Sequence, residues 1–175
     1  IAHADGNIMT EIIVEARTIV TGVQDRHTPA IVEGGAVLVR DGVIVEVGAP
    51  ETLRAKAPGA ALHRYPEHVM LPGFVNSHHH VGLTPLQLGS PDHALELWFA
   101  TRIPAKRIDH TLDTLYSAFE MLASGVTTVQ HIHGWMAGGY DAVHEAAGKV
   151  LGAYRQIGMR ASYCYAVREQ NRLVY

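Results

Sequence analysis

Three consecutive histidines, His78, His79 and His80, are the residues of this chain best suited to chemistry. In an extended strand, side chains two residues apart project to the same side, so His78 and His80 share one face and His79 lies on the other. A strand end of this kind presents two imidazoles to one ion. Zinc accepts neutral imidazole nitrogen, and in catalytic sites it typically takes three protein ligands and a water. The pair therefore predicts a metal site that needs further ligands.

A second pair with the same spacing, His131 and His133, follows a later β-branched run. If the two runs form neighbouring strands, about 4.8 Å apart, both pairs approach one cavity. Three interpretations stay open for the second pair: contact with a substrate or with a metal ligand, a packed or solvated loop position, and direct metal ligation. The first makes His131 and His133 candidate substrate-binding residues.

The elements before the histidine run predict a small antiparallel β domain over residues 9–68. The runs 36–40 and 43–47 are joined by Asp41 and Gly42, a dipeptide typical of a two-residue hairpin turn. Short β-rich runs precede them at residues 11–14 and 18–20, and a short helix is predicted near residues 50–56. The residues before Met9 are excluded from this interpretation.

Residues 69–175 alternate between apolar strands and amphipathic helices. After the run 69–75 and a long loop, the sequence predicts a helix at about 109–124, a strand at 126–129, a helix at about 140–157 and a strand at 159–167. Apolar Leu112, Leu115, Phe119 and Leu122 fall on one face of the first helix. Such alternation is typical of βαβ units and a parallel sheet. Three such strands leave a bare edge and an uncovered surface, which favours part of a larger (β/α) barrel.

Composition argues against several classes of protein. The chain is 47% hydrophobic and 18% charged, as expected of a globular protein, and its net charge is −3 with dispersed basic residues. Because the basic residues are dispersed, we do not expect a nucleic-acid partner. We do not expect a membrane partner either, because no apolar run approaches membrane-spanning length. The single cysteine, Cys164, fits a reducing compartment, so we expect a cytoplasmic protein. We expect Cys164 itself to be a small buried hydrophobe.

The segment at residues 72–80 reads PGFVNSHHH and resembles the first-strand signature of the amidohydrolase superfamily. In that signature a proline-glycine pair leads into a strand ending in His-x-His. Residues 95–99 and 123–129 resemble the branch of cytosine, adenosine-like and guanine deaminases and triazine hydrolases, and the likeness spans about residues 11–167. It implies an α/β fold in which residues 9–68 are the N-terminal part of a small composite β-sandwich. Residues 69–175 would be the first three units of an incomplete (β/α)8 barrel.

The resemblance implies a metal-dependent hydrolase that breaks a C–N bond with an activated water. The bond would join an exocyclic amino group to a nitrogen heterocycle, and each complete active site would hold one divalent ion, Zn2+ or Fe2+. His78 and His80 would be the first two ligands. Gln87, on a loop that crosses the barrel mouth in similar enzymes, would bind the substrate, although an exposed loop glutamine is the alternative. The remaining ligands and the catalytic glutamate of the family come from later strands, so no catalytic residue is assigned and we expect an incomplete site.

Two alternatives to the deaminase stay open. A cyclic amidase, similar to hydantoinases and imidazolonepropionases, would open a ring amide with the same activated water. A catalytically silent chain, lacking the later ligands, would act only as a folding unit or subunit. In either enzyme the partner is a small-molecule substrate, and we expect a homodimer or larger homo-oligomer when the protein is complete.

Overall fold

The computed structural model describes residues 10–80, 89–101, 108–134 and 138–166. The predictions for Gln87 and for the end of the third strand, residue 167, lie outside the described residues. The chain divides into two compact units, Ile1–Pro72 and Gly73–Tyr175. This division falls a few residues after the domain boundary predicted at residue 68. Within the described residues, no helix combines the length and the apolar character needed to span a membrane.

The first unit contains a mixed five-stranded sheet. Its strands β1 to β4 pair in the order β2-β1-β3-β4 and are antiparallel, as predicted. Strand β5 runs parallel to β1, so the prediction of a wholly antiparallel unit is wrong for this strand. Helix α1 packs Leu53 against Ile13 and Leu38 of the sheet. The elements are β1 (Glu11–Val23), β2 (Pro29–Glu33), β3 (Ala36–Arg40), β4 (Val43–Gly48), α1 (Pro50–Lys56) and β5 (Ala61–Met70).

The structure confirms the two strands of the β3–β4 hairpin and the type of turn that joins them. Arg40 pairs with Val43, so Asp41 and Gly42 form a two-residue connection. Both residues have positive φ, 49° for Asp41 and 79° for Gly42, as a type I′ turn requires. The turn follows from these two residues because asparagine, aspartate and glycine adopt this backbone more readily than other residues.

The second unit contains a three-stranded parallel sheet in the order β6-β7-β8. The helices predicted at about 109–124 and 140–157 are both confirmed. Asp109 caps the first by accepting from the backbone N–H groups of Thr111 and Leu112, and Gly158, with φ of 75°, ends the second. The elements are β6 (Phe74–His79), α2 (Leu95–Ala100), α3 (His110–Ala123), β7 (Val126–His133), α4 (Tyr140–Ile157) and β8 (Arg160–Tyr165).

Helices α3 and α4 cover one face of this sheet, called the helix face below; the other is called the open face. The core between these two helices and the sheet contains Val129 of β7, Met121 of α3 and Val150 of α4. The apolar side of α3 does not enter this core, since Leu112 and Phe119 are 63% and 61% exposed. Instead α3 buries a side that is largely small or polar, consisting of Asp113, Thr114, Ser117, Ala118 and Met121.

Candidate metal centre

The imidazoles of His78 and His80 meet at the end of β6. Their Nε2 atoms are 2.9 Å apart, and their rings lie edge to face with centroids 4.7 Å apart. Two nitrogens that each bind one zinc ion at about 2.0–2.1 Å lie roughly 3 Å from each other. The pair therefore has the separation expected of two ligands of one divalent ion. His79 points the other way, as the strand geometry predicts, and its Nε2 lies 3.2 Å from Ser117 Oγ of α3.

The ring of His80 is oriented by the backbone of β7. Its Nδ1 lies 2.7 Å from the carbonyl oxygen of Ile132. Because a carbonyl only accepts, Nδ1 carries the proton and donates, which leaves a lone pair on the Nε2 that faces His78. Metal-binding histidines ordinarily have such a partner on the far nitrogen, where it fixes the ring and raises its basicity. The donor chemistry of this pair thus fits a divalent ion.

A β-bulge in β6 decides which way these histidines face. Asn76 is opposite Val129 and His79 is opposite His131, so β6 advances three residues while β7 advances two. Asn76 lies on the helix face, where its Nδ2 donates to Met121 Sδ at 3.5 Å. In a regular strand the even-numbered His78 would follow Asn76 onto that face. The extra residue reverses the alternation and places His78 and His80 on the open face.

His131 and His133 lie on the helix face, so the expectation that both histidine pairs approach one cavity is wrong. His131 is 0% exposed, with its Nδ1 3.0 Å from Tyr154 Oη, and His133 is 2% exposed, with its ring 5.0 Å from the ring of His110. The cause is the register of the ladder, which sets His131 opposite His79. Direct contact of this pair with a substrate stays an untested prediction, and the described arrangement is the packed one.

Burial keeps both of these histidines neutral. Desolvation is the main cause that lowers the pKa of His131 to about 3 and that of His133 to about 4. Neighbouring imidazoles add to it, that of His79 beside His131 and that of His110 beside His133. Two buried ring atoms, His131 Nε2 and His133 Nδ1, have no hydrogen-bond partner among the described residues. Both imidazoles are thus polar but uncharged at neutral pH.

We expect the free energy of unfolding to fall as the pH is lowered from 7.5 to 4.5. Histidines of the unfolded chain titrate near 6.5, whereas His131 and His133 stay neutral down to about pH 3 and 4. The unfolded state therefore takes up protons in this window and gains stability. The stabilisation is fully present above pH 6.5 and is lost progressively below it, by roughly 3 kcal/mol for each histidine at pH 4.5.

Urea unfolding at constant ionic strength, at pH 7.5 and at pH 4.5, measures this loss. In the His131→Phe variant one of the two groups cannot bind a proton, so the difference between the two pH values should be smaller than in the wild type. An equal difference in both proteins would show that His131 does not titrate as its burial requires.

Gln130 and Cys164 share the open face with the histidine pair. Gln130 Nε2 donates to Cys164 Sγ at 3.3 Å. Cys164 is exposed, so the prediction that it is buried is wrong. The reason is alternation along β8, in which Tyr163 packs against the core under the helices and Cys164 points the other way.

Three groups that support the pair were not singled out from the sequence: the Ile132 carbonyl, the Asn76 side chain and the Ser117 hydroxyl. Only Asn76 carries a local signal, because asparagine often accepts a hydrogen bond from a backbone N–H two residues later. Its Oδ1 accepts from the N–H of His78 at 3.1 Å. The other two depend on long-range pairing and packing.

No third ligand joins His78 and His80 within the parts of the chain that the structure describes. Among those residues, no group of three histidine, cysteine, aspartate or glutamate side chains is placed to hold one ion. As candidate ligands, the two histidines would make up two of the three or more protein ligands that a catalytic zinc site typically has.

The chain is similar to several amidohydrolase enzymes of known activity. A family model for an imidazolonepropionase-like composite domain of bacteria matches residues 35–60. The chain is 28% identical over 158 residues to a 5-methylthioadenosine/S-adenosylhomocysteine deaminase of Desulforamulus reducens, over 87% of this chain and 33% of the relative. It is 34% identical over 134 residues to an 8-oxoguanine deaminase of Pseudomonas aeruginosa, over 73% of this chain and 29% of the relative. The chain thus spans about a third of the length of these relatives.

Solved structures share the fold over most of this chain. A guanine deaminase from Bradyrhizobium japonicum has a TM-score of 0.73 at 22% identity, over 88% of this chain and 34% of that one. An adenosine deaminase from Xanthomonas campestris with bound zinc has a TM-score of 0.67 at 25% identity, over 87% of this chain and 33% of that one. The fold is a mixed α/β one whose structural neighbours are (β/α)8 amidohydrolases. The chain belongs to the amidohydrolase superfamily, in its branch of deaminases.

Proposed function

We propose that the protein is a metal-dependent amidohydrolase that hydrolyses a C–N bond and releases the exocyclic amino group of a nitrogen heterocycle as ammonia. The observation that carries the proposal is the 2.9 Å approach of the Nε2 atoms of His78 and His80 at the end of a parallel strand. The deaminase names of the relatives support the type of reaction. In the proposed complete protein, β6 to β8 begin a (β/α)8 barrel and the first unit belongs to a small β-sandwich, with the active site at the carboxyl ends of the barrel strands.

His78 and His80 would hold the ion, Zn2+ or Fe2+, which when bound supplies a water activated for hydrolysis. The chain's own groups orient these ligands. The Ile132 carbonyl holds the proton of His80 on Nδ1, so that the Nε2 lone pair faces His78. On the same open face, Gln130 offers an amide that can both donate to and accept from a polar heterocycle.

The proposed substrates are purines that carry an exocyclic amino group. The relatives are named for 5-methylthioadenosine, S-adenosylhomocysteine and 8-oxoguanine, and all three compounds contain such a group. A cytoplasmic location is part of the same proposal, because a single cysteine fits a reducing compartment. A homodimer or larger homo-oligomer stays a prediction.

Metal analysis and an ammonia-release assay test the proposal. We expect the purified complete protein to contain near-stoichiometric zinc or iron and to release ammonia from at least one of these three compounds. Removal of the ion by a chelator should abolish the release, and added zinc should restore it. A protein that retains no metal and releases no ammonia would support the catalytically silent alternative and contradict the proposal.

A cyclic amidase is the second candidate, favoured by the match of residues 35–60 to an imidazolonepropionase-like domain. These residues form the β3–β4 hairpin and α1, whereas the histidines belong to the other unit. The match therefore bears more on the first unit than on the reaction. Hydrolysis of a ring amide consumes water without releasing ammonia, so loss of an imidazolone or hydantoin with no ammonia formed would favour this candidate.

A further inference from the structure

The β-bulge of β6 turns His78 and His80 to the open face, and both ends of the bulge are held from the helix face. Asn76 lies at one end and His79 at the other. We propose that His79, bonded to Ser117 of α3, is a positioning residue that fixes the bulge and thereby sets the approach of the two flanking imidazoles. This inference rests on the proposed function, in which His78 and His80 bind a divalent ion.

A directed hydrogen bond holds His79. Its Nε2 lies 3.2 Å from Ser117 Oγ, and that hydroxyl lies 3.1 Å from the carbonyl oxygen of Thr114. Because the carbonyl only accepts, Ser117 donates its proton there and accepts from His79, whose Nε2 is therefore protonated. Ser117 is 3% exposed, so water does not readily replace a lost bond at this place.

The same ring is also fixed by its neighbours in the sheet. It lies edge to face with the ring of His131, at a centroid distance of 5.7 Å and an interplanar angle of 83°. His131 is in turn bonded to Tyr154 of α4 through Nδ1. His79 thus contacts a buried side chain of β7 as well as helix α3, and rotation of its ring would leave both contacts.

The other end of the bulge is held by Asn76. Its Oδ1 accepts from the backbone N–H of His78, which lies inside the bulge, and its Nδ2 donates to Met121 of α3. The two anchors, Asn76 and His79, are therefore both tied to α3. His78 lies between these two anchors and His80 directly follows His79, and the imidazoles of His78 and His80 meet on the open face.

A metal site depends on such anchors because its ligands must be held to within about 0.5 Å of their productive positions. Loss of a group that orients a ligand typically lowers metal affinity by about 10–100-fold. His79 does not itself ligate the ion in this arrangement, since its Nε2 proton is directed to Ser117. Its effect is transmitted through the backbone of β6.

The test compares two substitutions of His79 that differ in one property. In His79→Gln the side-chain amide nitrogen is as many bonds from Cα as Nε2 of histidine, so the donor to Ser117 is kept. In His79→Leu the side chain still fills much of the space but is apolar, so it cannot donate a hydrogen bond to Ser117. Ser117→Ala removes the acceptor instead. The measurements are zinc affinity by competition with a chelator, the absorption spectrum of the cobalt-substituted protein, and urea unfolding of the metal-free protein.

We expect His79→Leu and Ser117→Ala each to weaken zinc binding by about 10–100-fold and to change the cobalt spectrum, which reports ligand geometry. His79→Gln should bind zinc within about threefold of the wild type, well inside that loss. The double variant His79→Leu/Ser117→Ala should bind zinc no more weakly than the weaker of its two single variants, because both substitutions remove the same hydrogen bond.

Unchanged zinc affinity and cobalt spectrum in Ser117→Ala, or equal losses in His79→Gln and His79→Leu, would overturn the positioning role. If His79→Leu does not fold, Ser117→Ala and His79→Gln decide the question in its place. Failure of the proposed function is distinguishable, because the wild-type protein would then bind neither zinc nor cobalt. A different result would remove only this inference and leave the proposed function intact. In that case the wild-type protein binds zinc, His78→Ala abolishes the binding, and Ser117→Ala leaves it unchanged.

Discussion

His78→Ala in the complete protein is expected to abolish metal retention and to lower kcat/KM for an ammonia-releasing substrate by at least about a thousandfold. The substitution leaves His80 Nε2 without the imidazole nitrogen that lies 2.9 Å away. A metal ion supplies several kcal/mol of transition-state stabilisation, and each 1.4 kcal/mol is about tenfold in rate, so its loss accounts for an effect of this size. Metal content and kcat/KM, measured on the same preparation, check the expectation.

The matched control is His63→Ala, which removes an exposed histidine from β5 of the first unit. It should leave both metal content and kcat/KM unchanged. Retention of stoichiometric zinc in His78→Ala would contradict the assignment of the pair as ligands. Loss of zinc in both variants would point to an effect on folding instead, which urea unfolding of the two metal-free proteins separates.

Gly73→Ala is expected to destabilise the protein by about 1–3 kcal/mol or more. A Cβ at this position would lie 2.1 Å from Thr127 Oγ1, 2.5 Å from Thr127 Cγ2 and 2.8 Å from Thr127 Cβ. The backbone cannot easily retreat, since the N–H of Phe74 donates to the carbonyl of Gly125 at 2.9 Å. The glycine of the proline-glycine pair is thus needed for the close approach of β6 to β7. Urea unfolding of wild type and variant measures the loss.

Gly48→Ala is the control, because a Cβ there meets nothing within 4 Å. Its free energy of unfolding should lie within about 0.5 kcal/mol of the wild-type value, as for most surface substitutions. Adding Thr127→Ala to Gly73→Ala removes two of the three close atoms and should cost less than the two single losses together. If the loss of unfolding free energy in the double variant equals the sum of the two single losses, the destabilisation by Gly73→Ala does not arise from its contact with Thr127.

The elements predicted correctly from the sequence are those whose own residues determine their geometry. Asp41 and Gly42 adopt the backbone of the hairpin turn, and Asp109 supplies the cap of α3. Strand β5 was missed because it is exposed along nearly its whole length, so its sequence shows no alternation, and Pro66 within it argues against a strand. Its place in the sheet comes from pairing with β1, which is not a local property.

The relative arrangement of the candidate pair was predicted correctly, because His78 and His80 lie on one side of the chain and His79 on the other. The face of the sheet that each side occupies was not predictable, since it depends on the bulge and therefore on the register against β7. That register also brings the His131 pair under the helices. The polar side of α3 packs there, where Ser117 is hydrogen-bonded to His79, so the apolar stripe did not identify the buried side of the helix.

The ladder of the three-stranded sheet has a consequence for how the protein is made. Among the described residues, β6 and β8 each pair on one side only, and Val75 of β6 is 65% exposed. An extended segment with outward N–H and C=O groups is a template for any other unpaired chain. While these edges are exposed, nascent copies are expected to adhere to one another at high concentration. The shorter the time for which these edges stay exposed during synthesis, the higher the expected yield of native protein, so a chaperone that shields them should raise it.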